Sequence, residues 1–195
     1  MSVPKILVFA GSIRTGSHNA RLAALAVKVL TLADADVTRI SLQDFPMPLY
    51  DGNLEAGSGP PEQAVKLKRL MMRHAGVFIA SSEYNASLTP LLKNTIDWVS
   101  RVREAGEPPL AAFKNRVFAL AAASPGSLGG YRSLMALRQV LELGCGATVL
   151  PEQVAVRDAP HAFDEQDNLR DPVVADAFAA MLRRLVDAVR YLPAT

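Results

Sequence analysis

Short unbroken apolar runs alternate along this chain with stretches in which apolar residues recur every three or four positions. Lys5 to Ala10 is such a run, ended by Gly11-Ser12, and its continuity predicts a strand buried on both faces, as in a parallel sheet. From Asn19 to Ala33 the residues Leu22, Leu25, Ala26, Val29, Leu30 and Ala33 give a helix with one core face. A short strand is expected at Val37 to Leu42. Asp44 to Pro61 holds four prolines and three glycines, so a long irregular surface connection is expected there. Glu62 to Arg73 returns to helical spacing, and Gly76 to Ala80 is a third apolar strand running into Ser81-Ser82-Glu83-Tyr84-Asn85.

A helix is predicted from Thr89 or Pro90 to about Arg101, with proline at a permitted early position. Arg116 to Ala123 supplies a fourth strand, and Tyr131 to Leu143 a helix ended by Gly144. A brief fifth strand is expected at Ala147 to Leu150, resuming near Val154 to Val156 beyond Pro151. Asp171 as N-cap and Pro172 in the first turn open a last helix that runs to Tyr191. Five strands alternating with five helices predict an α/β fold, a doubly wound parallel sheet with helices on both faces. No repeat or linker divides the chain, so residues 1–195 are read as one domain.

Half of the residues are apolar and 21% are charged, which suits a folded core. The formal net charge of +2 gives no reason to expect nucleic acid as a partner. A single cysteine, Cys145, excludes an internal disulfide and a zinc site of the CxxC kind, and fits a reducing cytoplasm. The longest apolar stretch, Val117 to Ala123, is far below the ~20 residues that cross a bilayer, so neither a membrane span nor a signal peptide is expected.

In open parallel sheets ligands bind beyond the carboxyl ends of the strands, where strand order reverses. Three unusual segments follow strands one, three and four, and on the order 2-1-3-4-5 they converge on one crevice. Gly11 to Asn19 offers hydroxyls, an amide and the Arg14 guanidinium before a helix N-terminus, a setting that favours a phosphate. A plainer reading makes Ser17 an ordinary N-cap. With only Gly11 and Gly16, and no Gly-Lys-Ser/Thr, the segment is neither a dinucleotide fingerprint nor a Walker loop, so a mononucleotide phosphate is preferred. Ser82 to Ser87 could cover and hydrogen-bond a planar heterocycle through Tyr84, Asn85 and backbone amides. Alternatively Asn85 and Ser87 cap the next helix. Gly126, Gly129 and Gly130 would let backbone approach a flat ligand, or simply permit a turn.

Taken together, Gly11-Ser12-x-Arg14-x-x-Ser17-x-Asn19, Glu83-Tyr84-Asn85-x-Ser87-x-x-x-Leu91-Leu92-Lys93-Asn94-x-Ile96-Asp97-Trp98 and Ser124-x-Gly126-x-x-Gly129-Gly130 resemble the NADPH-dependent FMN reductase family. Pro48-Leu49-Tyr50-Asp51, Leu137-Arg138 and Leu143-Gly144 resemble it too, so the likeness spans nearly the whole chain. The resemblance implies a flavodoxin-like three-layer sandwich holding FMN, with Ser12, Arg14, Ser17 and Asn19 around the phosphate. Glu83, Tyr84, Asn85 and Ser87 would lie beside the isoalloxazine and ribityl parts, and Ser124 with Gly126 on the far side. Ser82 stands where relatives commonly have proline, and Ala86 where they often have glycine.

It further implies an FMN-dependent oxidoreductase that relays hydride from NADPH or NADH to a flavin, quinone, azo or metal-oxyanion acceptor. The flavin carries that chemistry, so no side chain is assigned as acid, base or nucleophile and no metal is expected. A flavodoxin-type electron carrier, or a non-catalytic FMN-binding regulator, are the alternatives; the near-neutral charge counts against the carrier. Cys145 reads as a packed small hydrophobe, and His18, His74 and His161 have no spaced partners that suggest a metal. Arg101, Arg103 and Lys114 could meet a 2′-phosphate but read better as a solvated helix end. Similar proteins form homodimers or homotetramers, to whose contacts Leu88 and Trp98 could contribute.

Overall fold

A computed structural model describes residues 3–191. Five parallel strands, β1 (Lys5–Ala10), β2 (Asp36–Arg39), β3 (Gly76–Ala80), β6 (Val117–Ala123) and β7 (Thr148–Val156), form one sheet of order β2-β1-β3-β6-β7. This is the expected 2-1-3-4-5 order of a flavodoxin-like fold. A two-stranded hairpin of β4 (Glu83–Tyr84) and β5 (Ser87–Leu88) stands apart from it.

Both faces of the sheet are covered, which explains the unbroken apolar runs. Along β1 and β3, Ile6, Val8, Ala10, Phe78 and Ala80 face α1 (His18–Leu32) and α6 (Pro172–Arg190). Leu7, Phe9, Val77 and Ile79 point the other way, towards α3 (Glu62–Met72), α4 (Pro90–Arg101) and α5 (Tyr131–Gln139). A strand with water on one side would alternate with polar residues; here every position from Ile6 to Ala10 and from Gly76 to Ala80 is buried. In β6 the α1/α6 side carries Ala119, Ala121 and Ala123, and α6 comes close enough that a Cβ on Gly76 would lie 2.9 Å from Val189.

Several local expectations change. The segment expected to be irregular contains α2 (Gly52–Ser58), with Asp51 accepting from the Asn53 N–H at its start and Gly59 at φ 72° at its end. None of its residues is buried; it is held from outside by Glu55, which binds the Tyr50 hydroxyl and Arg101. The predicted helix from Tyr131 to Leu143 becomes α5 followed by a π-helical turn, Val140–Gly144. The fifth strand runs through Pro151 without interruption. β7 pairs only with β6, so it is an edge strand that tolerates a missing donor, and the register jumps from Phe118↔Val149 to Leu120↔Gln153 around that proline. Asp171 caps α6 through the Val173 and Val174 N–H groups, as expected, whereas α4 is capped by Thr89 through the Leu92 N–H and not by Asn85 or Ser87.

Candidate functional site

The β1 and β3 strands are neighbours whose connections leave in opposite directions, so a crevice opens beyond their carboxyl ends. Backbone bonds continue the sheet briefly into it, from the Gly11 N–H to Ala80 O and from the Ser81 N–H to Ala121 O. The first loop is fastened to α4: the Thr89 hydroxyl donates to Gly11 O at 2.6 Å, and a Cβ on Gly11 would sit 2.9 Å from Leu92 Cδ2. A side chain there would press on Leu92 in the helix behind it.

Beyond Gly11 the loop is open. Arg14 is exposed and no ion pair or side-chain hydrogen bond engages it among the described residues. Its backbone N–H donates to Ser12 Oγ at 3.3 Å, and its carbonyl accepts from the Ser17 N–H, closing a turn around Gly16 at φ 69°. Ser17 is buried and has N-cap backbone geometry, yet its hydroxyl caps nothing. The next residue, His18, buries an Nδ1 without a partner. Burial first, then Arg14 and Arg21, push its imidazole below the usual histidine value, which keeps it neutral. An unpaired guanidinium, a free hydroxyl and the first N–H groups of a fifteen-residue helix together fit a phosphate group. No acidic residue occupies that first turn.

Asn19 sits with these residues but faces inward. Its amide donates to Ser82 Oγ at 3.0 Å and to Ala123 O at 2.9 Å, and accepts from the Ala123 N–H at 2.9 Å. It thus takes the place of a strand partner where β6 has outrun β3, and spends both donors within the protein. Glu83 behaves likewise. Its largely buried carboxylate accepts from the Arg132 and Ser133 backbone N–H groups at 3.1 and 3.2 Å and forms an ion pair with the Arg132 side chain, so it caps α5 from a distance. Ser133 then reaches Ser81 Oγ at 3.3 Å and Gly130 O at 3.0 Å. A buried polar seam runs from α1 through Ser82 and Ser81 to α5 beneath the crevice.

The hairpin above this seam turns through Asn85 at φ 49° and Ala86 at φ 63°, the two-residue geometry that prefers glycine at its second position. It lifts Tyr84, 52% exposed, towards solvent, with Ser87 beside it. In the third loop, the Ser124 N–H donates to Val156 O, and Gly126 is exposed. Gly129 and Gly130 have a different reason to lack side chains than approach to a ligand. At φ 60° and 87°, added Cβ atoms would lie 2.9 Å from the Ala155 and Val156 backbone and 2.7 Å from Ala122 Cβ.

Ser12, Arg14, Ser17, Tyr84, Asn85, Ser87, Ser124 and Gly126 therefore belong to loops at one end of the sheet, while Asn19 and Glu83 brace those loops. Arg132 and Ser133 were missed; nothing in their helical spacing signals that a glutamate fifty positions away caps them. Asn94 and Trp98 also prove to be braces, binding Pro48 O and the Tyr50 N–H. Trp98 is fully buried and Leu88 nearly so, and both belong to the core; Leu88 also lines a surface groove beside the start of α4. Arg101 is paired with Glu55 at the far end of α4. Cys145 is buried and its thiol is pushed up to about 11, first by burial, so it is no nucleophile at neutral pH.

Among the described residues no helix is long and apolar enough to cross a membrane, and no cluster of His, Cys, Asp and Glu could hold a metal. The model of the NADPH-dependent FMN reductase family matches residues 4–161. The chain is 32% identical over 193 residues to the NAD(P)H-dependent FMN reductase PA1204 of Pseudomonas aeruginosa, covering 96% of each protein. It is 33% identical over 141 residues to a quinone reductase of Escherichia coli, covering 70% of this chain and 69% of that one. Among solved structures it is similar to the flavoenzyme NAD(P)H:(acceptor) oxidoreductase FerB of Paracoccus denitrificans, with a TM-score of 0.75 and 26% identity over 97% and 99% of the two chains.

Proposed function

The chain belongs to the NADPH-dependent FMN reductase family, and from that premise we propose that its first crevice loop holds the FMN phosphate while the hairpin and third loop flank the flavin ring. It is an FMN-dependent NAD(P)H oxidoreductase, built as a single reductase domain over residues 1–195. The observation that carries the site assignment is the unpaired Arg14 beside the uncommitted Ser17 hydroxyl at the start of α1. Arg14 supplies a planar fork for phosphate oxygens, Ser12 and Ser17 supply hydroxyls, and the helix N-terminus favours the negative charge.

The other residues prepare that setting. Asn19 fixes the helix start against β6, and Glu83 fixes the hairpin against α5, so Tyr84, Asn85 and Ser87 are presented from a rigid base. Ser124 and Gly126 border the opposite side. His18, neutral and without a partner, can donate one hydrogen bond without adding a charge that would repel Arg14. Bound FMN supplies the two-electron exchange that no side chain of this crevice provides. The acceptor is a small molecule, and relatives named quinone reductases support a quinone among the flavin, azo and metal-oxyanion candidates. We place the enzyme in the cytoplasm, where a lone thiol stays reduced.

We further infer a homodimer or homotetramer. A surface groove of about 690 Å³ between the start of α4 and the π-helical turn is bordered by Leu143, 82% exposed, together with Leu88 and Val140, an arrangement that suits another apolar surface. Light scattering on the eluting protein reads the mass; a monomer at micromolar concentration refutes it.

The test of function is the visible spectrum of protein incubated with FMN and gel-filtered, then mixed anaerobically with NADPH or NADH. Retained flavin bands that bleach support the reading, and a subsequent quinone should restore them. Bands that persist with both nucleotides overturn it in favour of a carrier or regulator.

A further inference from the structure

Just beyond the third crevice loop, the carboxyl end of β7 and the start of α6 enclose a cavity of about 460 Å³. Arg157 and Arg170 stand on its wall, with Val156, Leu169 and Val174 supplying apolar surface. Arg157 has no ion pair or hydrogen bond among the described residues. Arg170 spends only its Nε, which donates to Phe163 O at 3.0 Å, so its terminal nitrogens are uncommitted. Two acids also line the cavity, but each is engaged. Asp171 accepts from the Val173 and Val174 N–H groups, and the Asp158 carboxylate meets His161 Nδ1 at 3.0 Å. Neither engagement removes a carboxylate's charge, but both acids already accept hydrogen bonds, while the two guanidiniums keep N–H donors that no acceptor among the described residues takes.

The cavity is joined to the crevice by the backbone itself. Val156 O accepts from the Ser124 N–H at 3.1 Å, Ser124 O accepts from the Ala159 N–H at 3.2 Å, and Gly129 packs directly on Ala155 and Val156. β7 lies one strand beyond β6 and two beyond β3, spacings of about 5 and 10 Å. A nicotinamide that reaches the crevice leaves the rest of its dinucleotide to be held outside, and this is an adjoining cavity with free cations. Arg101, by contrast, is occupied by Glu55.

We propose that this cavity receives the adenosine end of the dinucleotide, with Arg157 and the terminal nitrogens of Arg170 holding the phosphate on its ribose 2′-oxygen. The inference rests on the reductase reading and deepens it: it makes Arg157 a determinant of NADPH over NADH. A guanidinium fork matches a phosphate dianion bidentately, while the apolar wall takes the purine face. NADH, lacking that phosphate, leaves Arg157 as solvated as it is in the free protein.

The test uses FMN-loaded protein and calorimetric titration with 2′,5′-ADP, 5′-AMP and inorganic phosphate, which requires no turnover. Wild type is expected to bind 2′,5′-ADP about tenfold more tightly than 5′-AMP, a difference of about 1.4 kcal/mol. It should bind inorganic phosphate far more weakly, and NADPH should compete. In Arg157→Gln, an exposed position, the preference for 2′,5′-ADP should collapse and the ratio of NADPH KM to NADH KM should rise about tenfold. Arg157→Lys, which keeps charge without the fork, should fall between. Equal binding of the two nucleotides by wild type, a preference undiminished in Arg157→Gln, or binding that NADPH does not displace would each overturn the proposal. A flavin that neither NADPH nor NADH bleaches would instead sink the reductase reading, while the titrations still report on the cavity.

Discussion

Replacing Asn19 with alanine isolates the clamp that joins the first crevice loop to the sheet. The amide makes three buried hydrogen bonds of 2.9 to 3.0 Å, two of them to the backbone of Ala123, which is itself 4% exposed. At about 1 kcal/mol net for each bond the loss is about 3 kcal/mol. Leaving the Ala123 N–H and carbonyl buried without partners, at about 1 to 3 kcal/mol for each, pushes towards the upper end of about 2 to 5 kcal/mol. Urea unfolding of apo protein measures it free of any stabilisation by bound flavin. With an m-value of about 2 kcal/mol/M, the midpoint should fall by about 2 to 2.5 M at unchanged slope. Asn19→Asp keeps an acceptor but loses both donors and sets a carboxylate against Ala123 O, so it should be no milder. A midpoint within about 0.5 M of wild type for Asn19→Ala would refute the claim that this amide stands in for a strand at the end of β6.

Arg14→Ala should weaken FMN binding by about 1.5 to 3 kcal/mol, the value of a hydrogen bond to a charged group, when read by flavin fluorescence titration; unchanged affinity places Arg14 outside the site. Ala86 holds φ 63°, where a Cβ costs about 1 kcal/mol, so Ala86→Gly should raise the Tm by about 2 to 4 °C. No rise would mean the turn relaxes without strain. Glu104 is held at about 2, below its ordinary 4.5, first by Arg69 and then by Lys68. A carboxyl lowered on folding stabilises fully above its unfolded value and loses that contribution as pH falls from about 4.5 towards 2. Urea midpoints of wild type and Glu104→Gln should therefore converge across that window, and a constant gap would contradict the coupling.

The sheet and its main helices were legible because each leaves a period in the chain. Burial on both faces forces the unbroken runs of β1, β3 and β6, and one buried face forces the three-and-four spacing of α1, α3, α4 and α6. The placement of three polar loops after β1, β3 and β6 followed from the strand order alone. What each polar residue does in those loops did not. α2 escaped notice because its stability comes from Glu55 meeting Arg101, forty-six positions on, and not from a buried face of its own.

Asn19 and Glu83 carry the same family pattern as Arg14 and Ser17, yet the side chains of the first two brace the crevice loops and those of the last two are left without protein partners among the described residues. That division was invisible in sequence because Asn19 meets Ala123 at a separation of 104 residues and Glu83 meets Ser133 at 50. A residue type and its local spacing state which hydrogen bonds a side chain can make. Which of them it does make depends on where folding leaves an unpaired backbone group within reach, and only the tertiary structure decides that.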